Sequence, residues 1–157
     1  MRCALVASVA VAVAFASAAS SAPTKHLLRA NGLTVVAPTS WHLTREQLTE
    51  CSSPRQVLAV TDTRRSLGLR ARLARARTLV LFLEDAGYRG SNFPPRKRFR
   101  LQPLGMMGGC CEMPISRGFE VFFRDHGRNL YAFVYAAKRA NAAKAVAMLN
   151  TLVVEPR

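Results

Sequence analysis

The clearest pattern of apolar and polar positions falls in residues 118–138, GFEVFFRDHGRNLYAFVYAAK. Phe119, Val121 and Phe123 alternate with Glu120, Phe122 and Arg124, the period of two that a strand requires. On the return, Leu130, Ala132, Val134 and Ala136 alternate with Tyr131, Phe133 and Tyr135. Between the runs stands Asp125-His126-Gly127-Arg128, in which Gly127 can supply the positive φ of a hairpin turn. A loop of two or four residues pairs Phe123 with Leu130 and Phe122 with Tyr131; a loop of three shifts the register by one and exchanges the faces. Both faces are largely apolar, so the pattern predicts central strands covered on both sides and leaves the register open.

The rest of the chain follows in short pieces. Residues 23–31 are polar and predict a flexible, frayed N-terminal arm. Residues 32–37, GLTVVA, predict a strand stopped by Pro38, and Pro38-Thr39-Ser40-Trp41 a turn that sets the only tryptophan against the core. Thr44-Arg45-Glu46-Gln47 has capping-box spacing and predicts a short helix reaching about Cys51. QVLAVT (56–61) and TLVLFL (78–83) predict strands, the second buried. Residues 86–95, with two glycines and a double proline, and residues 103–117, rich in Gly and Met, predict long loops, with a short strand at 99–102 between them. Asn141 can cap a helix over 141–150 whose Ala142, Ala145, Val146 and Leu149 share one side, and residues 151–154 predict a last strand. Strands thus dominate. The expected fold class is α+β: a mainly antiparallel sheet, a C-terminal helix packed on one face, and a short helix or loops on the other.

The start and end of this pattern resemble the Mog1/PsbP-like domains. The start, Gly32-Leu33-Thr34-Val35-Val36-Ala37-Pro38-Thr39-Ser40-Trp41, is similar to their opening strand and P-x-x-W. The end, a hairpin and a helix running into Met148-Leu149-Asn150-Thr151-Leu152-Val153-Val154, is similar too. The resemblance covers about a third of the chain. It implies a sheet sandwiched by helices and a binding or assembly role in place of catalysis, and it carries over no functional residue.

The N-terminus changes the picture by giving an address. Arg2, an apolar run from Cys3 to Phe15 and the small residues 16–22 have the order of a secretory signal peptide. The run is too short for a comfortable membrane span. Residues 1–22 are therefore expected to be cleaved, giving a secreted or cell-envelope protein with no transmembrane span after processing. About 135 residues remain, the 23–31 arm followed by one domain over 32–157. In an oxidising compartment Cys51 is expected to pair with Cys110 or Cys111, leaving one odd thiol.

Charge then narrows the partners. Lys and Arg number 23 against 9 Asp and Glu, a formal +14. A basic exported protein is drawn to anionic envelope polymer or lipid headgroups. The candidate surface is Arg64, Arg65, Arg70, Arg72, Arg75 and Arg77 in the densest stretch, with Arg96, Lys97 and Arg98. The stretch 64–77 lacks interleaved aromatics and so gives no specific nucleic-acid reading; a solvated connection accounts for it equally.

One loop could carry chemistry. Met106, Met107, Cys110, Cys111 and Met113 gather soft donors suited to Cu(I), an alternative soft-metal or redox role. Cys110 or Cys111 with His126 could form a Cys–His nucleophile of a small enzyme. The bland readings are a structural bridge, core methionines and a solvated turn histidine. Glu84-Asp85 at a strand end reads as a solvated pair. There is no P-loop, no G-x-S-x-G, no H-E-x-x-H and no cofactor motif. The reading is a non-catalytic binding or structural module with a basic surface and no cofactor.

Overall fold

The computed structural model describes residues 24–49, 51–63, 78–87, 92–107 and 116–157. The expected signal peptide lies outside the described residues, as do Arg64, Arg65, Arg70, Arg72, Arg75, Arg77, Cys110, Cys111 and Met113.

The apolar runs form the centre. TLVLFLE becomes β5 (Thr78–Glu84), buried at every position. It pairs antiparallel on one side with β4 (Arg55–Thr61) and on the other with β8 (Arg128–Ala136). β8 continues into β7 (Ser116–Asp125), and β6 (Gly105–Met107) and β3 (His42–Leu43) are short outer strands. The six-stranded order is β3-β4-β5-β8-β7-β6, antiparallel throughout. The hairpin loop has two residues, His126 at φ 45° and Gly127 at φ 76°, the handedness that matches strand twist. Phe123 therefore faces Leu130 and Phe122 faces Tyr131.

A smaller sheet packs on the larger. β1 (Lys25–Ala30), β2 (Leu33–Pro38) and β9 (Val153–Val154) pair in the order β1-β2-β9. With α1 (Arg139–Leu149) they cover one face of the large sheet. Val80, Phe82, Ala132, Val134, Phe119 and Phe123 there meet Leu33, Val35, Ala142, Ala145 and Leu149 in one cluster. Trp41 is buried in it, after a turn closed by its N–H to the Pro38 carbonyl at 2.9 Å. The opposite face is a second cluster of Leu79, Leu81, Leu83, Phe133 and Tyr135 with Leu48 and Ala59. The fold is α+β, mainly antiparallel, with its helix near the C-terminal end. Among the described residues no helix is long and apolar enough to cross a membrane.

Four expectations need correcting. Residues 25–30 are not a frayed arm: they pair with β2 over their whole length, and Leu28 reaches the core. The Thr44 capping box opens no helix. Thr44 donates its N–H to Ala59, and its hydroxyl accepts from Glu46 at the i+2 position of a local turn. The Gln56 side chain then donates to the Glu46 carbonyl and accepts from the Leu48 N–H, holding the segment open. Residues 99–102 form no strand, and the edge strand is β6, inside the expected loop. The helix begins at Arg139 with Lys138 in the extended N-cap position and no side-chain cap, so Asn141 is not its cap.

Candidate anionic-partner site

The basic sequence Arg96-Lys97-Arg98-Phe99-Arg100 lies on a segment fixed at several points. Phe93 is buried edge-on between Phe122, with ring centroids 5.9 Å apart, and Tyr131, at 5.0 Å. The Pro94 carbonyl accepts from the Arg124 N–H at 2.7 Å, and the Arg96 N–H donates back to the Arg124 carbonyl at 2.9 Å. Pro95 thus bridges the end of β7 in parallel. Further on, the Phe99 N–H donates to the Asn150 side-chain oxygen at 2.9 Å, and the Asn150 amide donates to the Phe99 carbonyl at 3.1 Å. The side chain of Asn150 acts here as a short piece of strand. The Phe99 ring meets Phe123 edge-on at 5.1 Å, and Leu101 and Leu104 pack against the main cluster.

These anchors sort the cations. Arg96 Nη1 contacts Asp125 Oδ2 at 2.9 Å and donates to the Leu152 carbonyl at 2.7 Å, so this arginine is committed to holding the segment. Lys97 and Arg98 are exposed, and so is Arg100, which the charge reading omitted. None of these three has an ion pair among the described residues. Beside them runs a groove of about 750 Å³ between the segment and β7, bounded by Pro94, Pro95, Arg98, Phe99, Arg100, Gln102 and residues 121–123. Phe122, 49% exposed, is one of its walls. A smaller hollow of about 450 Å³ opens on the far side of the segment, between Lys97, Arg98 and Asn150. Cationic side chains beside an open aromatic wall can hold an anionic group and pack on its apolar neighbour. The available signal was the alternation of Arg98 and Arg100 around Phe99; Phe122 gave none, because its openness depends on where β6 stops.

Among the described residues, the other candidates are not brought together. Met106 is 73% exposed, whereas its neighbour on β6, Met107, is half-buried against both core clusters, so the two lie on opposite faces of the strand. Cys110, Cys111 and Met113 are outside the described residues, and no group of three or more His, Cys, Asp or Glu side chains that could hold a metal is present among those described. Cys51 is not a free thiol. His126 sits exposed at the hairpin tip with Nδ1 2.9 Å from Asp125 Oδ1.

Glu84 is not solvated, contrary to expectation: it is 1% exposed. Arg128, 4% exposed, donates Nε to one of its oxygens at 2.8 Å and Nη2 to the other at 2.9 Å, while Arg157 approaches at 2.9 Å. Burial alone would raise the carboxyl pKa, but the hydrogen bonds and charges of Arg128 and Arg157 outweigh it and hold it at about 2. A carboxylate so fixed in its ionised form is no proton shuttle. Arg128 also donates to the Asn31 carbonyl at 3.0 Å, tying the β1–β2 turn to the large sheet. Asp85 lies apart, accepting from Ser53 at 3.2 Å. Comparison with family models, curated proteins and solved structures finds no match for the chain.

Proposed function

We propose that this chain is an exported, non-catalytic binding module whose basic groove beside β7 takes an anionic partner of the cell envelope. The observation that supports it most is that Lys97, Arg98 and Arg100 stand free of acid partners among the described residues, beside a groove with an aromatic wall. A basic surface that served solubility alone would need neither the groove nor the anchors that fix the segment. The net charge of +14 supplies long-range attraction, and the groove supplies a place to dock. The resemblance to Mog1/PsbP-like domains, mostly binding or assembly modules, points the same way.

The test measures retention of the mature protein on anionic phospholipid vesicles and on an anionic polysaccharide across a salt series. Binding is expected at low salt and falls steeply as salt rises. Replacing Lys97, Arg98 and Arg100 together with Gln is expected to weaken it at least tenfold and flatten the salt dependence. Equal retention of the triple variant at every salt would overturn the assignment of the site.

A further inference from the structure

The partner's form can be read from the edge of β7. In a two-residue hairpin the residues flanking the loop, Asp125 and Arg128, form a bonded pair, so the odd residues of β7 direct their backbone groups toward β8. The even residues direct theirs outward. Arg124 confirms this: its N–H and C=O are the groups bonded to Pro94 and Arg96. At the other end Gly118 faces Gly105 of β6. Between these two closures, Glu120 and Phe122 direct an N–H and a C=O each to the outside, and neither residue has a backbone partner on that side among the described residues.

The gap has a cause in the sequence. Were the pairing of β6 continued backward, Pro103 would stand opposite Glu120. Proline offers no N–H to a ladder, and the chain turns from the edge there, so that Leu101 and Leu104 pack on the core. The vacated edge, residues 119–123 between the paired Gly118 and Arg124, is roughly 16 Å long at about 3.3 Å per residue. It opens on the groove already described.

We propose that this edge accepts an extended acidic polypeptide segment as an added strand; this rests on the groove being the anion site. Exposed backbone donors and acceptors in a row are the requirement for strand addition, and they recognise a polypeptide, not a sugar or lipid headgroup. The acidic character follows from the rim: Lys97, Arg98, Arg100 and Arg124 are exposed around the gap, and among the described residues Glu120 is the one acid in it. Phe122 offers apolar contact to alternate side chains of the guest.

The experiment uses the whole mature protein and a fluorescein-labelled peptide of alternating glutamate and valine, eight residues long. Two further versions carry N-methyl groups, one on every glutamate amide and the other on every valine amide. Only one set of amides can face the edge of β7, so one methylated peptide is expected to lose at least tenfold in affinity while the other keeps it. The Glu120 and Phe122 amides are expected to gain protection from hydrogen exchange when the unmodified peptide is added. Equal binding of all three peptides would overturn strand addition while leaving the groove as a charge site. Binding of anionic vesicles or polyphosphate with no binding of the peptide would do the same. Protection of the two amides that tracks protein concentration without peptide would assign the edge to a second copy and overturn the proposal. Failure of vesicle, polyphosphate and peptide alike would overturn both this inference and the function beneath it.

Discussion

Arg128 is nearly inaccessible, and Glu84 supplies the negative charge that makes its burial tolerable. Removing one partner of such a pair leaves the other buried and uncompensated, so Glu84→Gln is expected to cost about 3–5 kcal/mol in chemical unfolding. The carboxyl sits at about 2 in the folded protein against 4.5 ordinarily. As pH falls, the unfolded chain takes up this proton first. The contribution of Glu84 is complete above about 4.5 and is lost as pH falls through about 2. The difference in stability between the wild type and Glu84→Gln should therefore be flat near neutrality and shrink between those values, read from unfolding midpoints across the pH series. Gly118 is a second decisive position, for lack of room: a Cβ there would fall inside contact distance of the Val134 carbonyl on β8. Backbone cannot give way as a flexible side chain does. Gly118→Ala is thus expected to lose about 1–3 kcal/mol or more, with a lowered Tm.

At the scale of elements, the segment between Phe93 and β6 depends on a few polar contacts from outside itself. Asn150 provides two of them, to the N–H and C=O of Phe99. Asn150→Ala removes both at a partly open site, for about 1–2 kcal/mol in total. The sharper readout is local: hydrogen exchange at Phe99 should accelerate while amides of β5 and β8 keep their protection. The hairpin was legible because an apolar period of two meets a turn glycine, and β4 and β5 because each is an unbroken apolar run of strand length, although the cover expected on both faces fails at Phe122 of β7, which is 49% exposed. β1 was not, because KHLLRA shows no apolar alternation: only Leu28 is buried, its neighbour Leu27 is exposed, and the strand is owed to pairing with β2. The Thr44 segment carried a sound helix signal that the Gln56 side chain overrode from the neighbouring strand. Of the site, Lys97 and Arg98 were legible as charge. Arg96 was misjudged since the acid that claims it, Asp125, is 29 residues away, and the vacant edge at Phe122 follows from Pro103 only once the pairing of β6 with β7 is known.

For the whole molecule, the two sheets and the helix share one core, and the long connections carry the cysteines. Cys51 lies just before β4, and Cys110 and Cys111 fall in the connection between β6 and β7. A bridge from Cys51 to either would close a loop of nearly sixty residues and restrict the unfolded chain by about 4 kcal/mol in the loop-entropy treatment. The oxidised mature protein, unfolded in guanidinium without reductant, is expected to show one reactive thiol, and three after reduction. Alkylation followed by peptide mapping should then find Cys51 in the blocked pair. Three thiols before reduction would remove the bridge and leave the two sheets to hold the fold by packing alone. Because β6 abuts both that connection and the vacant edge of β7, reduction is also a probe of the groove. If the bridge fixes β6, exchange at Met106 and Met107 should quicken in the reduced protein, and retention on anionic vesicles should weaken with it.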